Sequence, residues 1–343
     1  MNGLPDKRLR ELLATSAKRR ILVVGDVMLD HFIWGSVSRI SPEAPVPIVE
    51  LQRESSMPGG AGNVARNLTS LQATAELFSV IGTDHQGREL KELLQGCGIE
   101  CADILETPQR STSVKTRVVA QTQQVVRIDR ETKDVLDDGL TRHLLDRISL
   151  RLTQADAVII CDYGKGVVTQ PLIDELRRLC RERGVWLSLD PKPVHCLSLV
   201  DLSLITPNRK EALELAAVPD ENRRADPLKD ETLMLAVERL LKNLRPALLL
   251  VTLGEQGMLL CQRGRSPFHI PTVAQEVFDV SGAGDTVIAA FTLAIAAGAS
   301  PVEAAILSNH AAGVVVGKVG TATITAQEIL SHARDRTAID EHS

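Results

Sequence analysis

The chain of 343 residues is poor in aromatic side chains: two tryptophans, one tyrosine and five phenylalanines make up 2% of it. Proteins that hold single-stranded nucleic acid stack its bases on such side chains. A net charge of −5 adds no attraction to phosphodiester backbones or anionic membranes. No nucleic-acid partner and no membrane partner are therefore expected. There is no run of eighteen uncharged apolar residues, and the N-terminal stretch M-N-G-L-P-D-K-R-L-R-E-L-L is charged where a signal peptide would be apolar. The expected location is the cytoplasm. Cys97, Cys101, Cys161, Cys180, Cys196 and Cys261 include no C-x-x-C pair and no histidine at metal-ligand spacing, so they are expected to be reduced, inert thiols. Two nucleotide motifs are also missing. The G-K pairs at 164–165 and 317–318 are followed by Gly166 and Val319 rather than Ser or Thr, and the first apolar run, V-V-G-D-V-M-L-D, lacks G-x-G-x-x-G. A P-loop NTPase and a dinucleotide oxidoreductase both lose ground.

What is present is an apolar fraction of 44%, enough for a sizeable core. Short apolar runs alternate with helical segments: I-L-V-V-G-D at 21–26, A-V-I-I-C-D at 157–162, V-W-L-S-L-D at 185–190, L-S-L-I-T-P at 202–207 and A-L-L-L-V-T-L-G at 247–254. Runs without period-two alternation suit strands covered on both faces, which predicts an α/β fold with a mostly parallel sheet between helical layers. Residues 31–55 and 112–128 instead alternate polar with apolar residues. They predict antiparallel strands with one wet face, forming either a lid or merely an extra hairpin layer. With no internal repeat or low-complexity linker, one domain spanning 1–343 is expected.

Ligands of open α/β sheets sit beyond the carboxyl ends of the strands, and this chain places Asp26, Asp30, Asp162 and Asp190 there. Singly, each is equally a turn former or helix cap. Together they suit polyol hydroxyls or a metal. The stretch P-G-G-A-G-N-V-A-R-N-L at 58–68 opens a helix with glycines that admit a ligand to the backbone, or simply forms a flexible loop. In D-V-S-G-A-G-D at 279–285, Gly282, Ala283 and Gly284 would aim unpaired helix-start amides at an anion such as phosphate. Asp285 would repel that anion. An acid there makes sense as a base that takes a proton from a hydroxyl attacking the phosphoryl group; an aspartate settled in the helix dipole is the plainer alternative.

These residues resemble the ribokinase-like (PfkB) carbohydrate kinases. D-V-S-G-A-G-D is similar to their D-T-x-G-A-G-D signature, departing at Val280 and Ser281. P-G-G-A-G-N-V-A is similar to their G-G-x-x-x-N motif, I-T-P-N-R-K-E at 205–211 to T-P-N-x-x-E, and V-T-L-G-E-Q-G at 251–257 to T-x-G-x-x-G. The four motifs occur in the family order over nearly the whole chain. Within the family, G-D-V-M-L-D-H-F-I-W-G, R-I-S-P-E-A-P-V-P-I and D-Y-G-K-G most resemble the heptose kinases of lipopolysaccharide inner-core synthesis. Those enzymes phosphorylate D-glycero-D-manno-heptose 7-phosphate at O1, and many are fused to an adenylyltransferase whose H-x-G-H motif is absent here. A kinase with no fused adenylyltransferase domain is the resulting expectation.

The resemblance implies a three-layer α/β/α core with a small antiparallel β lid, and ATP with Mg²⁺ as cofactors. It assigns Asp285 as base, with the Gly282, Ala283 and Gly284 amides as anion hole. Asp30, Gly59, Gly60 and Asn63 would bind the sugar. Asn208 and Glu211 would hold Mg²⁺ and phosphates through water, while Thr252, Gly254, Gly257 and Asn309 would bind the nucleotide. Asp279 matches a monovalent-cation site, which raises K⁺ as a further cofactor. A phosphorylated sugar needs cations at its far end. Lys115, Arg117, Arg127, Lys165 and Lys192 are candidates, Lys192 and Lys165 foremost because they follow strand-end acids; solvated strand faces and loop charges are the plainer reading of any one of them. Apolar positions Phe32, Val46, Ile48 and Val49 on the lid strands predict a homodimer joined there. A kinase of another acceptor, such as a ketohexose phosphate, a pentose or a nucleoside, and a non-catalytic nucleotide- or sugar-binding regulator remain open at this point.

Overall fold

Four apolar residues in succession, Ile21 to Val24, set the architecture. In an extended chain they point alternately to opposite sides, so the run needs cover on both faces. A computed structural model, which describes residues 4–340 apart from residues 122, 195, 275, 276 and 319, provides that cover. Ile21 and Val23 pack into one apolar layer, Leu22 and Val24 into another on the far side of the sheet. Ile159 and Cys161 divide from Val158 and Ile160 in the same way. Each such side chain contributes about 1.5–3 kcal/mol when fully buried.

In chain order the strands are β1 (Arg20–Gly25), β2 (Val27–Ile40), β3 (Pro47–Gly60), β4 (Thr74–Gly82), β5 (Ile104–Thr107), β6 (Ser113–Ala120), β7 (Gln123–Arg130), β8 (Ala157–Cys161), β9 (Trp186–Asp190), β10 (Leu204–Ile205), β11 (Leu248–Thr252), β12 (Met258–Cys261) and β13 (Phe268–Ile270). The central sheet runs β13-β12-β11-β10-β9-β8-β1-β4-β5. From β11 to β5 every neighbouring pair is parallel, and β12 and β13 are added antiparallel. The α/β core expected from the apolar runs is thus present, and β4, β5, β12 and β13 enlarge it. Helices supply the two covering layers. Along Gln170–Arg183, for example, Leu172, Ile173, Leu176, Leu179 and Cys180 recur at helical spacing and are the buried face. The helix Ala283–Ala296 is apolar almost all round and is buried along Val287–Ala294. A Ser188–Thr292 hydroxyl hydrogen bond of 2.7 Å pins it to β9.

Strand order turns at β1. The chain goes from β1 to β4 and β5 on one side, then returns to build β8, β9, β10 and β11 on the other. At such a switch point the connections leave the sheet in opposite directions and open a crevice beyond the strand ends. Asp26 follows β1 here, and D-Y-G-K-G follows β8.

The second sheet has four strands in the order β3-β2-β6-β7. It is antiparallel within each hairpin, β2 with β3 and β6 with β7, as alternation predicts. Between hairpins the expectation is corrected, because β2 and β6 run parallel. Both strands rise from the same edge of the core, so their pairing carries the same direction. Asp30, expected beyond the carboxyl end of the first strand, follows β1 there and lies inside β2. Phe32 also departs from the dimer-face expectation. It is 4% exposed and stacks on Trp34 with ring centroids 5.6 Å apart, on the side that carries Asp30 and Arg117. Among the described residues no helix is long and apolar enough to cross a membrane.

Candidate active site

The site is built at the switch point by three segments distant in sequence. The first is the turn that starts the helix Ala283–Ala296. Gly282 caps it at φ +78°, a left-handed conformation that costs glycine little, and a Cβ there would come within 2.6 Å of Asn63 Nδ2. Asp279 shapes the turn: its Oδ1 accepts from the Ser281 amide at 2.8 Å and its Oδ2 from the Gly320 amide at 3.1 Å. Among the described residues, no acceptor meets the amides of Gly282 and Gly284. The Ala283 amide is a correction to the three-amide hole, since it donates to the Val280 carbonyl at 3.2 Å.

Asp285, 8% exposed, stands at the centre. Its Oδ2 accepts from Asn63 Nδ2 at 2.7 Å and its Oδ1 from the Tyr163 hydroxyl. Desolvation pushes its carboxyl up to about 6; the Tyr163 and Asn63 hydrogen bonds oppose the rise, Asp30 adds to it and Lys115 opposes it. That value suits a general base near neutral pH.

The second segment brings in the sugar-side residues. Gly60 (φ +60°) caps the helix Ala61–Ser70, and a Cβ would meet the Asp26 carbonyl at 2.6 Å. Gly59 pairs with Met28 in register, close against Asp30. Asp30 Oδ1 accepts from Arg117 Nη1 at 2.6 Å. Arg117 Cζ in turn sits 5.2 Å over the Phe32 ring. Lys115, Arg117, Arg127 and Lys165 come together: the last three are the cations whose charge, after desolvation and against Asp30, holds the Lys115 ammonium below its usual range. Arg127 is paired bidentately with Asp129 at 2.8 Å and Lys165 with Glu131. Lys115 makes no ion pair among the described residues.

Lys192 is not part of that group. Its Nζ lies 3.0 Å from Glu211 Oε1 on the other side of the site. There Asn208 and Glu211 form a capping box for the helix Arg209–Leu215, each side chain meeting the other's amide at 3.0 Å. Asp190 is beside them. Desolvation, then the negative charges of Glu211 and Asp285, push its carboxyl well above the ordinary range, against the Thr206 hydroxyl bond and the Lys192 charge. Thr252 bridges to Asn208 at the end of β11, Gly254 opens the turn Gly254–Gln256, and the Gly257 carbonyl accepts from the Leu253 amide at 2.8 Å. Asn309 Nδ2 donates to the Pro271 carbonyl at 2.8 Å.

Two residues to which the sequence motifs assign no role complete the site. Asp26 accepts the Tyr163, Lys165 and Val167 amides at 2.9, 3.0 and 2.9 Å, so it is the brace of the D-Y-G-K-G loop. Tyr163 reaches from that loop to Asp285. The one available signal was a polar aromatic at a strand end in a chain almost without aromatics.

A near-neutral buried carboxylate beside a glycine helix start, with acids and cations on either flank, is arranged to move a hydroxyl proton next to an anion. The sequence pattern described as pfkB family carbohydrate kinase matches residues 18–328. The chain belongs to that family. As a pfkB kinase it is 42% identical over 324 residues to the bifunctional protein HldE of Geobacter sulfurreducens, an alignment that takes in 94% of this chain and 65% of that protein. It thus spans just under two thirds of that relative's length. The kinase fold is shared with Arabidopsis thaliana ribokinase complexed with ribose and ATP (TM-score 0.72, 20% identity, 92% of this chain and 99% of that one). It is shared also with Escherichia coli phosphofructokinase-2 in complex with potassium (TM-score 0.75, 19% identity, 93% and 99%).

Proposed function

We propose that this kinase transfers the γ-phosphoryl group of ATP to O1 of D-glycero-D-manno-heptose 7-phosphate, in the cytoplasm, as the 1,7-bisphosphate-forming step of lipopolysaccharide inner-core synthesis. The observation that carries the choice of a phosphorylated sugar is Lys115. It is an ammonium without an ion pair among the described residues, partly desolvated, beside Arg117, Arg127 and Lys165 on the lid side of the base. An incoming phosphate dianion restores what desolvation costs this ammonium. The similarity to HldE, together with the motif resemblance, supports heptose as the sugar.

Asp30, the backbone at Gly59 and Gly60, and Asn63 orient the sugar. Asp285 takes the proton of the acceptor hydroxyl as that oxygen attacks phosphorus, while the amides of Gly282 and Gly284 hold the phosphoryl oxygens. Thr252, Gly254, Gly257 and Asn309 lie on the nucleotide side. Asn208 and Glu211, with Asp190 beside them, are the residues that would hold a divalent cation, chiefly through water, and its charge would offset the repulsion that Glu211 exerts on Asp190. When bound, Mg²⁺ neutralises charge on the ATP phosphates. Asp279 would serve a K⁺ site: each of its carboxylate oxygens accepts one backbone amide and keeps a lone pair. The working unit is proposed to be a homodimer joined through the lid sheets.

The test is ADP release over a panel of sugars with and without a terminal phosphate. Heptose 7-phosphate is expected to give the highest kcat/KM, about a hundredfold or more above unphosphorylated heptose, as the loss of charge-assisted contacts implies. Equal rates with the two would overturn the assignment.

A further inference from the structure

We infer that Tyr163 is the positioning residue of the base: its hydroxyl holds the Asp285 carboxylate in the orientation and ionised form that accept a proton. The inference rests on the reading of Asp285 as base.

Tyr163 is fixed from three directions. Its amide donates to Asp26 Oδ2 at 2.9 Å. Its ring edge lies over Gly60, where a Cβ would stand 3.4 Å from Cδ2, at van der Waals contact. Its hydroxyl donates to Asp285 Oδ1, while Asn63 donates to Oδ2. Each carboxylate oxygen thus receives one protein donor and keeps a lone pair for the substrate hydroxyl. A carboxylate fixed at both oxygens cannot rotate away from the attacking atom.

The electrical setting makes these donors matter. Desolvation and the Asp30 charge push Asp285 toward its protonated form, and Lys115 is the cation that opposes them. Asp190 and Cys161 also face Asp285, and both feel its charge. Donors to the anion counter this crowding. Tyr163 itself remains a donor: desolvation, then the charges of Asp285 and Asp190, push its phenol well above the ordinary range, so it does not ionise where the enzyme would work.

Tyr163→Phe keeps the ring against Gly60 and removes only the donor. Hydrogen bonds to charged groups contribute about 1.5–3 kcal/mol, equivalent to about one to two pH units. The acid limb of kcat/KM should therefore move up by about that amount. At pH 5 the rate should fall about tenfold or more, and the deficit should shrink as pH rises through the shifted limb. A sugar phosphate titrates in the same range, but it is common to both proteins and cancels in the comparison. Because Tyr163 is the one tyrosine in the chain, uniform 3-fluorotyrosine labelling gives a single ¹⁹F resonance that reports the contact even if the Phe variant fails to fold. Its shift should titrate with the parent's acid limb and stay flat in Asp285→Asn. Near-normal turnover by Asp285→Asn would remove the base reading and the Tyr163 role together. If Asp285→Asn is inactive, an acid limb unmoved in Tyr163→Phe, or a ¹⁹F shift that ignores that limb, would remove the Tyr163 role alone.

Discussion

At the scale of the residue, Asp285 resolves a conflict visible in the amino-acid sequence alone: a negative charge placed where an anion should bind. A carboxyl held up to about 6 by desolvation is ionised at neutral pH, yet readily protonated once a hydroxyl proton is offered. Catalysis should therefore be lost as pH falls through about 6, since only the ionised form accepts a proton, and should be retained above it. Asp285→Asn should lower kcat about a hundredfold or more with ATP affinity unchanged by isothermal titration; turnover within about threefold of the parent would refute the role. Lys115→Met should raise KM for the sugar phosphate about tenfold or more and leave KM for ATP alone. Equal effects on both would show that Lys115 serves the nucleotide instead. Asp285 was legible because its chemistry is local, a helix start with an acid behind it. Tyr163 was not, because its partner lies 122 positions away in sequence and nothing adjacent to it betrays that contact. Lys192 was misplaced for a related reason. Following a strand-end acid put it at the right edge of the sheet, but its direction along that edge, toward Glu211, depends on packing.

Elements were legible in proportion to how far their pattern reflects local burial. Runs such as Leu248–Thr252 declare a strand covered on both faces; the two-residue β10 inside L-S-L-I-T-P is defined by its neighbours. Alternation revealed the lid hairpins, whereas the parallel β2–β6 pair joins segments separated by the whole of β3, β4 and β5. Register places Asp30, Phe32, Lys115, Arg117 and Arg127 on the face toward the site. The opposite face carries a cross-strand row of Ile33, Val118 and Val126, with Ile128 next along β7. Val126 is 47% and Ile128 58% exposed. A four-stranded sheet with an apolar row open to water on one face is the surface a second copy would cover. The proposed dimer is therefore expected to dissociate in Ile128→Lys, with sedimentation velocity at micromolar concentration showing a monomer where the parent is a dimer. A monomeric parent would dispose of the lid interface.

At the scale of the whole molecule, the two sheets differ in how firmly they are held. The central sheet is packed on both faces, and β1 and β8 have no exposed apolar side chain. The lid is rooted by Val27, Met28, Leu29 and Phe32, all buried, but every residue described in β7 is exposed. Local opening follows such differences in buried contact, so lid amides should exchange with deuterium well before those of β1 and β8. Lys115 and Arg117 sit in that less stable sheet, while Asp285 and Tyr163 belong to the core. The proposed sugar phosphate would bridge them and so bind only with the lid sheet docked on the core. At about a hundred times its Kd it should add about 2.7 kcal/mol to closure, slowing lid exchange by up to about a hundredfold, with β1 and β8 little changed. The comparison is made at one protein concentration, so that any lid-mediated association is the same with and without ligand. Protection confined to the core strands would mean that the lid cations do not hold the substrate, whatever their charge.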